Sequence, residues 1–155
     1  MKILICGLPG SGKSTLAEPL AKITGGVWIN ADVVRTKYEG PDMSKWDFSP
    51  AGRVKQSQRM KQLADEVVLA GNIAITDFVC PTEATRKEFD ADFVIWMDTI
   101  QKGRYDDTNQ MFEAPSHCNY HIAQWFDDTH AQLMPVVNRF LEVQAKKEAA
   151  DENAR

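Results

Sequence analysis

Eight consecutive residues near the amino terminus, Gly7-Leu8-Pro9-Gly10-Ser11-Gly12-Lys13-Ser14, match the spacing G-x-x-x-x-G-K-[ST] without a mismatch. Glycines at these positions let backbone N–H groups turn inward and approach phosphate oxygens, and a following helix N-terminus adds its dipole. In that setting Lys13 reaches the β- and γ-phosphates of a nucleotide, and the Ser14 hydroxyl ligates Mg²⁺. The expected cofactors are therefore ATP, as phosphate donor, and Mg²⁺. The expected binding residues are Gly7, Pro9, Gly10, Ser11, Gly12, Lys13, Ser14 and Thr15.

A donor site needs an acceptor site. Asp32, in Asn30-Ala31-Asp32-Val33-Val34-Arg35, is placed to take the proton of an attacking hydroxyl, and Arg35 to hold an acceptor anion. The alternative is that Asp32 caps a helix and Arg35 is a solvated charge. Arg53 gives a separate signal. At about 100° per residue it falls on the same helix face as Met60, Ala64 and Val67, with Gln56 at the edge of that face. A charge on a core-facing stripe is costly unless paired; at a helix start Arg53 can point into a cleft and bind an anionic ligand, the alternative being fraying that lets it reach water. Asp77 and Asp98 each end an apolar run, and either could orient Mg²⁺ or its water shell. Asp77 is preferred, because the third strand of such folds usually lies beside the strand that carries the glycine turn.

The elements that must position these groups can be read from periodicity and breakers. Lys2 to Cys6 reads as a buried strand, followed by the turn and a helix from about Lys13 to Ile23. Val27 to Asn30 is a second strand and Asp32 to Tyr38 a short helix. Residues 39–50 form a loop. A long helix covers about Ala51 to Ala70, with Val54, Met60, Leu63, Ala64, Val67 and Val68 at helical spacing. Further strands are expected at Ile73 to Thr76, Phe93 to Met97 and His117 to Ile122, with a helix at Thr82 to Phe89. Residues 99–116 lack clear periodicity and form a candidate lid, in which Lys102 and Arg104 are the cations. Arg104 is expected to offset charge on the transferring group together with Lys13. A last helix spans about Gln124 to Gln144, kinked at Pro135, and residues 145–155 are a fraying helix end or a tail. Alternating strands and helices predict a single α/β domain over 1–155: a three-layer P-loop kinase fold, with a five-stranded parallel sheet, helices on both faces and a short lid. Ligands bind at the carboxyl ends of such strands, which gathers the turn, Asp32, Asp77 and Asp98 near one rim.

Composition narrows the class. With 155 residues and 43% hydrophobic content the chain can bury one real core. A net charge of −4 argues against a mainly electrostatic nucleic-acid binder. Cys6, Cys80 and Cys118 show no disulfide or zinc spacing, and reduced thiols in a cytoplasmic setting are expected. No apolar stretch approaches membrane-spanning length, so no membrane partner is expected. An Asn-Lys-x-Asp element for guanine is absent, and motor ATPases are much longer. A kinase of a small molecule remains.

The chain resembles the adenylyl-sulfate kinases from the glycine turn to about Pro115. Their GL-x-G-x-GKST loop is similar to Gly7 through Thr15, and their D-G-D-N-x-R segment to Asn30 through Arg35. Their F-S-x-x-x-R-x-x-N segment resembles Phe48-Ser49-Pro50-Ala51-Gly52-Arg53, with Gln56 where Asn is usual. Their G-x-I-x-x-T-A-F-I-S-P strand looks like Gly71 through Pro81, and Y-E-A-P like Phe112-Glu113-Ala114-Pro115. The resemblance implies that Asp32, Arg35, Arg53 and Gln56 surround adenylyl sulfate, with Phe48 and Phe112 against its adenine. It implies transfer of the ATP γ-phosphate to the ribose 3′-hydroxyl. A homodimer is compatible with it.

The departures are specific. The lid is shorter than that family's, Cys80 replaces a serine, and Asp77 replaces a small residue. The chain also resembles polynucleotide 5′-hydroxyl kinases, whose N-x-D-D-x-x-R and S-D-T-N segments look like Asn30 to Arg35 and Thr76-Asp77. That opens a second acceptor class: a hydroxyl on a nucleotide, a polynucleotide end or a modified DNA base. A non-enzymatic alternative is an ATP-binding regulatory module. His117 and His121 with Cys118 between them are set aside as a metal site, as is Cys80 as a nucleophile.

Overall fold

The strand that carries the glycine turn lies at the centre of the sheet. β1 (Lys2–Cys6) is buried along its whole length. It pairs with β3 (Ala74–Asp77) on one side and β4 (Phe93–Met97) on the other. β2 (Val27–Asn30) and β5 (Tyr120–Ile122) form the edges, giving the order β2-β3-β1-β4-β5. Every pairing is parallel. The computed structural model describes residues 1–103, 105–124 and 129–154.

A parallel sheet must be covered on both faces, and two separate clusters do so. On one face Ile3, Ile5, Ile75 and Ile95 pack with Leu16 and Leu20 of α1 (Lys13–Thr24) and with Val136 and Phe140 of α6 (Thr129–Asn153). Phe93 and Phe140 meet edge to face at 5.7 Å. On the other face Leu4, Cys6 and Ala74 pack with Val34 of α2 (Ala31–Glu39), Met60 and Ala64 of α3 (Pro50–Leu69), and Phe89 of α4 (Glu83–Phe89). Each fully buried Leu, Ile or Phe contributes about 1.5–3 kcal/mol. The three-layer fold expected from the sequence is present.

Local signals set the helix starts. The Asn30 side chain accepts from the backbone amides of Asp32 and Val33, so Asn30, and not Asp32, caps α2. Ser49 Oγ accepts from the Gly52 amide at 3.1 Å, and Pro50 opens α3. Buried Arg53, Gln56, Ser57, Met60 and Ala64 then form one stripe along α3, running from polar to apolar toward the core. Val54 lies off that stripe and is exposed.

Three expectations need adjustment. The segment 99–116 contains a six-residue helix, α5 (Asp106–Met111). β5 starts at Tyr120, later than expected. α6 runs through to Asn153, beyond the expected end at Gln144. Lys147 on this extension pairs with Asp92, whose other oxygen accepts from the Lys2 amide at 2.7 Å. Among the described residues, no helix is long and apolar enough to cross a membrane.

Candidate active site

The glycine turn is shaped by contacts that only glycine tolerates. Gly7 has φ 154°, and a Cβ there would meet the Met97 carbonyl at 2.5 Å. Gly12 adopts the left-handed region at φ 95° as N-cap of α1, and no side chain caps that helix. The first-turn amides are therefore left without a side-chain acceptor, an arrangement that fits a phosphate. Lys13 lies beside them and donates to the Leu8 carbonyl at 2.9 Å. Burial lowers its pKa to about 8, opposed chiefly by the charge of Asp77. Gly7 and Ser11 shape the turn from behind. Ser11 is buried, and its carbonyl accepts from Thr99 Oγ1 at 2.7 Å, which ties the turn to the start of the lid segment.

The turn opens onto a cleft of about 380 Å³. Pro9, Gly10, Gly12, Lys13, Ser14 and Thr15 line one end. Asp77, at the end of β3 and 2% exposed, stands beside them. Its Oδ1 accepts from Ser14 Oγ at 3.4 Å, and its Oδ2 from Trp28 Nε1 at 2.5 Å and Asn30 Nδ2 at 3.1 Å. Burial raises its pKa, while the donors from Trp28 and Asn30 and the charge on Lys13 pull the other way. A hydroxyl and a carboxylate at this separation are hard oxygen donors suited to Mg²⁺, held directly or through water. Asp98 does not line the cleft; it hydrogen-bonds His121 Nε2 at 2.9 Å, and His121 stacks on Trp96.

The other end of the cleft is lined by Asp32, Arg35, Phe48, Arg53 and Gln56. Asp32 is exposed, and among the described residues its carboxylate has no partner. Arg35 is buried; its Nη1 donates to Glu39 Oε2 at 2.8 Å and to the Asp47 carbonyl at 2.9 Å. Arg53 donates from Nη2 to Thr108 Oγ1 at 2.7 Å and has no carboxylate partner among the described residues. Burial lowers its pKa to about 10, and the charge of Arg35 adds to that. Both guanidinium groups approach the Phe48 ring, at 4.6 and 4.8 Å from its centroid. Arg35 Nη2 and Arg53 Nε are buried without a hydrogen-bond partner among the described residues. Arg35 is thus ion-paired with Glu39, and Arg53 rests on a threonine hydroxyl.

Gln56 spans two elements, donating to the Ala31 carbonyl at 3.0 Å and accepting from Arg59. Phe112 does not line the cleft; its ring lies 5.6 Å from the Arg86 guanidinium, which also holds the Glu113 carbonyl. Arg104 lies outside the described residues. Sequence reading gives no site role to Glu39, Tyr105 and Thr108, and takes Trp28 for core or cleft wall; its ring packs against the core. Glu39 binds Arg35 and Arg59 and accepts the Asp47 amide, which fixes the loop bearing Phe48. Its i,i+4 spacing from Arg35 was the available signal. Tyr105 stacks on Phe48 at 6.1 Å. No local pattern marks that contact or the Thr108 bond.

A family model described as an AAA domain matches residues 3–96, more than half of the chain. The chain belongs to that family. The matched part of this AAA domain holds the glycine turn, Asp32, Arg35, Arg53 and Asp77, and stops before the lid segment. Solved structures share its fold. The hexameric APS kinase from Thiobacillus denitrificans superposes with a TM-score of 0.69 at 22% identity, over 91% of this chain and 28% of that one. The chain thus spans little more than a quarter of that relative's length. The APS kinase of Mycobacterium tuberculosis, in complex with AMPPNP and APS, gives 0.71 at 16%, over 90% and 96%. The shikimate kinase from Acinetobacter baumannii, in complex with shikimate, gives 0.61 at 17%, over 91% and 93%. The fold is that of the P-loop kinases. No curated protein matches the chain significantly in sequence.

Proposed function

We propose that this chain is an ATP-dependent kinase that transfers the γ-phosphate to an alcohol on an anionic acceptor, with the 3′-hydroxyl of adenylyl sulfate as that alcohol. One observation carries the reading: a single cleft joins the phosphate turn at one end to Asp32, Arg35 and Arg53 at the other. Phosphoryl transfer asks a protein mainly to position two substrates and neutralise charge, and the cleft has groups for each task.

The first-turn amides of α1 and Lys13 would hold the phosphates. Ser14 and Asp77 would hold Mg²⁺, which supplies charge neutralisation on the phosphate oxygens. Arg35 and Arg53, which line that end of the cleft beside Phe48, would hold the acceptor anion by their charge. Asp32 would accept the proton as the hydroxyl oxygen bonds to the γ-phosphorus and the bond to ADP breaks. Arg104 is proposed as a further cation on the transferring group. The solved APS kinase in complex with AMPPNP and APS supports this reading through its fold. Coupled turnover of ATP with adenylyl sulfate tests it: steady release of ADP that depends on adenylyl sulfate is expected, and none at saturating substrate would remove this acceptor.

A second reading has its own observation. Asp77, where the adenylyl-sulfate kinase segment carries a small residue, is a buried carboxylate bound to Ser14 and Asn30. The polynucleotide 5′-hydroxyl kinase segment carries an acid there. Under this reading the acceptor is a hydroxyl on a nucleotide, a polynucleotide end or a modified DNA base. Label from ATP would then appear on 5′-hydroxyl or hydroxymethyl-base DNA, and not on adenylyl sulfate.

A further inference from the structure

The Asp77 carboxylate is held from one side by two neutral donors on the neighbouring edge strand. β2 pairs with β3 in a register that sets Trp28 beside Ile75 and Asn30 beside Asp77. Residues two apart on a strand share a face, so Trp28 and Asn30 both look toward the side that carries α1. From there Trp28 Nε1 and Asn30 Nδ2 both donate to Oδ2, at 2.5 and 3.1 Å. Two N–H donors occupy the lone pairs of that oxygen. Oδ1 is left facing Ser14 Oγ across 3.4 Å, a long and weak hydrogen bond.

The choice of donor matters. Indole donates but does not accept, so it cannot compete with Asp77 for a cation. It is also uncharged, so it leaves the negative charge of Asp77 available, where a lysine or arginine would neutralise it. Asn30 has a second duty: its Oδ1 caps α2, the helix that presents Asp32. Trp28 has no hydrogen bond except the one to Asp77 among the described side-chain bonds. It is therefore the cleaner probe.

We propose that Trp28 is a positioning residue that, with Asn30, fixes the Asp77 carboxylate so that Oδ1 alone faces Ser14 and a bound Mg²⁺. The proposal rests on the reading that Mg²⁺ and a nucleotide occupy this end of the cleft. It does not depend on the identity of the acceptor. An oriented ligand raises affinity by removing freedom that binding would otherwise have to freeze.

The test is binding of a fluorescent ATP analogue to the full chain, in Mg²⁺ and in EDTA. The ratio of the two affinities is the Mg²⁺ gain. Trp28→Phe is expected to cut that gain about tenfold while its EDTA affinity stays within about twofold of wild type. Trp28→His, which keeps a ring N–H, is expected to retain the gain to within about threefold. It carries the test alone where the Phe variant is too unstable to assay. An unchanged gain in Trp28→Phe would overturn the proposal. So would full loss of the gain in Trp28→His, because packing and not the donor would then explain it. A wild-type chain that binds the analogue equally in Mg²⁺ and EDTA would overturn the magnesium reading itself, and the proposal with it.

Discussion

Arg53 is a guanidinium at 8% exposure that, among the described residues, bonds a threonine and no carboxylate. Such a charge weakens the empty protein and is offset when an anion arrives. Arg53→Met keeps much of the side-chain volume and removes the charge. Stability of the empty chain is expected to stay within about 1 kcal/mol of wild type. The acceptor KM is expected to rise about tenfold or more, from the loss of about 1.5–3 kcal/mol of charged hydrogen bonding, with the KM for ATP unchanged. Thermal melts and steady-state kinetics read both. A large fall in melting temperature with an unchanged acceptor KM would make Arg53 structural. Much of this was legible, because helical periodicity alone put Arg53 on the core-facing stripe of α3. The unpartnered donors on Arg53 and Arg35 were not, since they depend on where tertiary structure sets Thr108 and the Asp47 carbonyl. The cysteines give a pH statement at the same scale. Burial pushes the Cys6 and Cys80 thiols up to about 12, so both stay protonated and unreactive at pH 8. Labelling of the native chain at pH 8 should reach only Cys118, with Cys6 and Cys80 reacting after unfolding. Rapid native labelling of Cys80 would contradict its burial at the edge of the cleft.

At the scale of elements, α3 and α5 show why some helices can be read and others cannot. α3 announces itself with Ser49-Pro50 at its start and a buried stripe through Met60 and Ala64. α5 is six polar-rich residues, DDTNQM, too short to be helical on propensity. It is held by tertiary contacts: Arg53 to Thr108, the Gly103 amide to Asn109 Oδ1 at 2.7 Å, and Tyr105 stacked on Phe48. The far end of α6 is similar, since an ion pair from Lys147 to Asp92 accompanies a stretch that composition alone reads as a tail. Because α5 is fastened to Arg53, the proposed acceptor site would couple the order of α5 to acceptor binding. Thr108→Val removes the bond at nearly constant volume. Amide exchange across residues 105–111 is expected to quicken about tenfold, as the loss of a charged hydrogen bond implies, and exchange in β1 is expected to stay the same. Unchanged exchange in α5 would show that the Arg53 bond does not hold it.

At the scale of the molecule, the order β2-β3-β1-β4-β5 places the glycine turn, Asn30 and Asp77 at the carboxyl ends of three adjacent strands. Ligands bind at that rim in open α/β sheets. The chain is acidic overall, at −4, yet Lys13, Arg35 and Arg53 converge on its cleft. An acidic surface with a basic cleft suits a small anionic acceptor. Under the proposed function this cleft moves phosphate between two substrates, with Asp32 taking the proton. Transfer of label from γ-labelled ATP, across a panel of adenylyl sulfate, 5′-hydroxyl oligonucleotide and hydroxymethyl-base DNA, tests it most directly. One acceptor is expected to carry the label, and Asp32→Asn to bind ATP as before while losing about 10²–10⁴-fold in transfer. ATP binding with no label on any acceptor, or full transfer by Asp32→Asn, would contradict it.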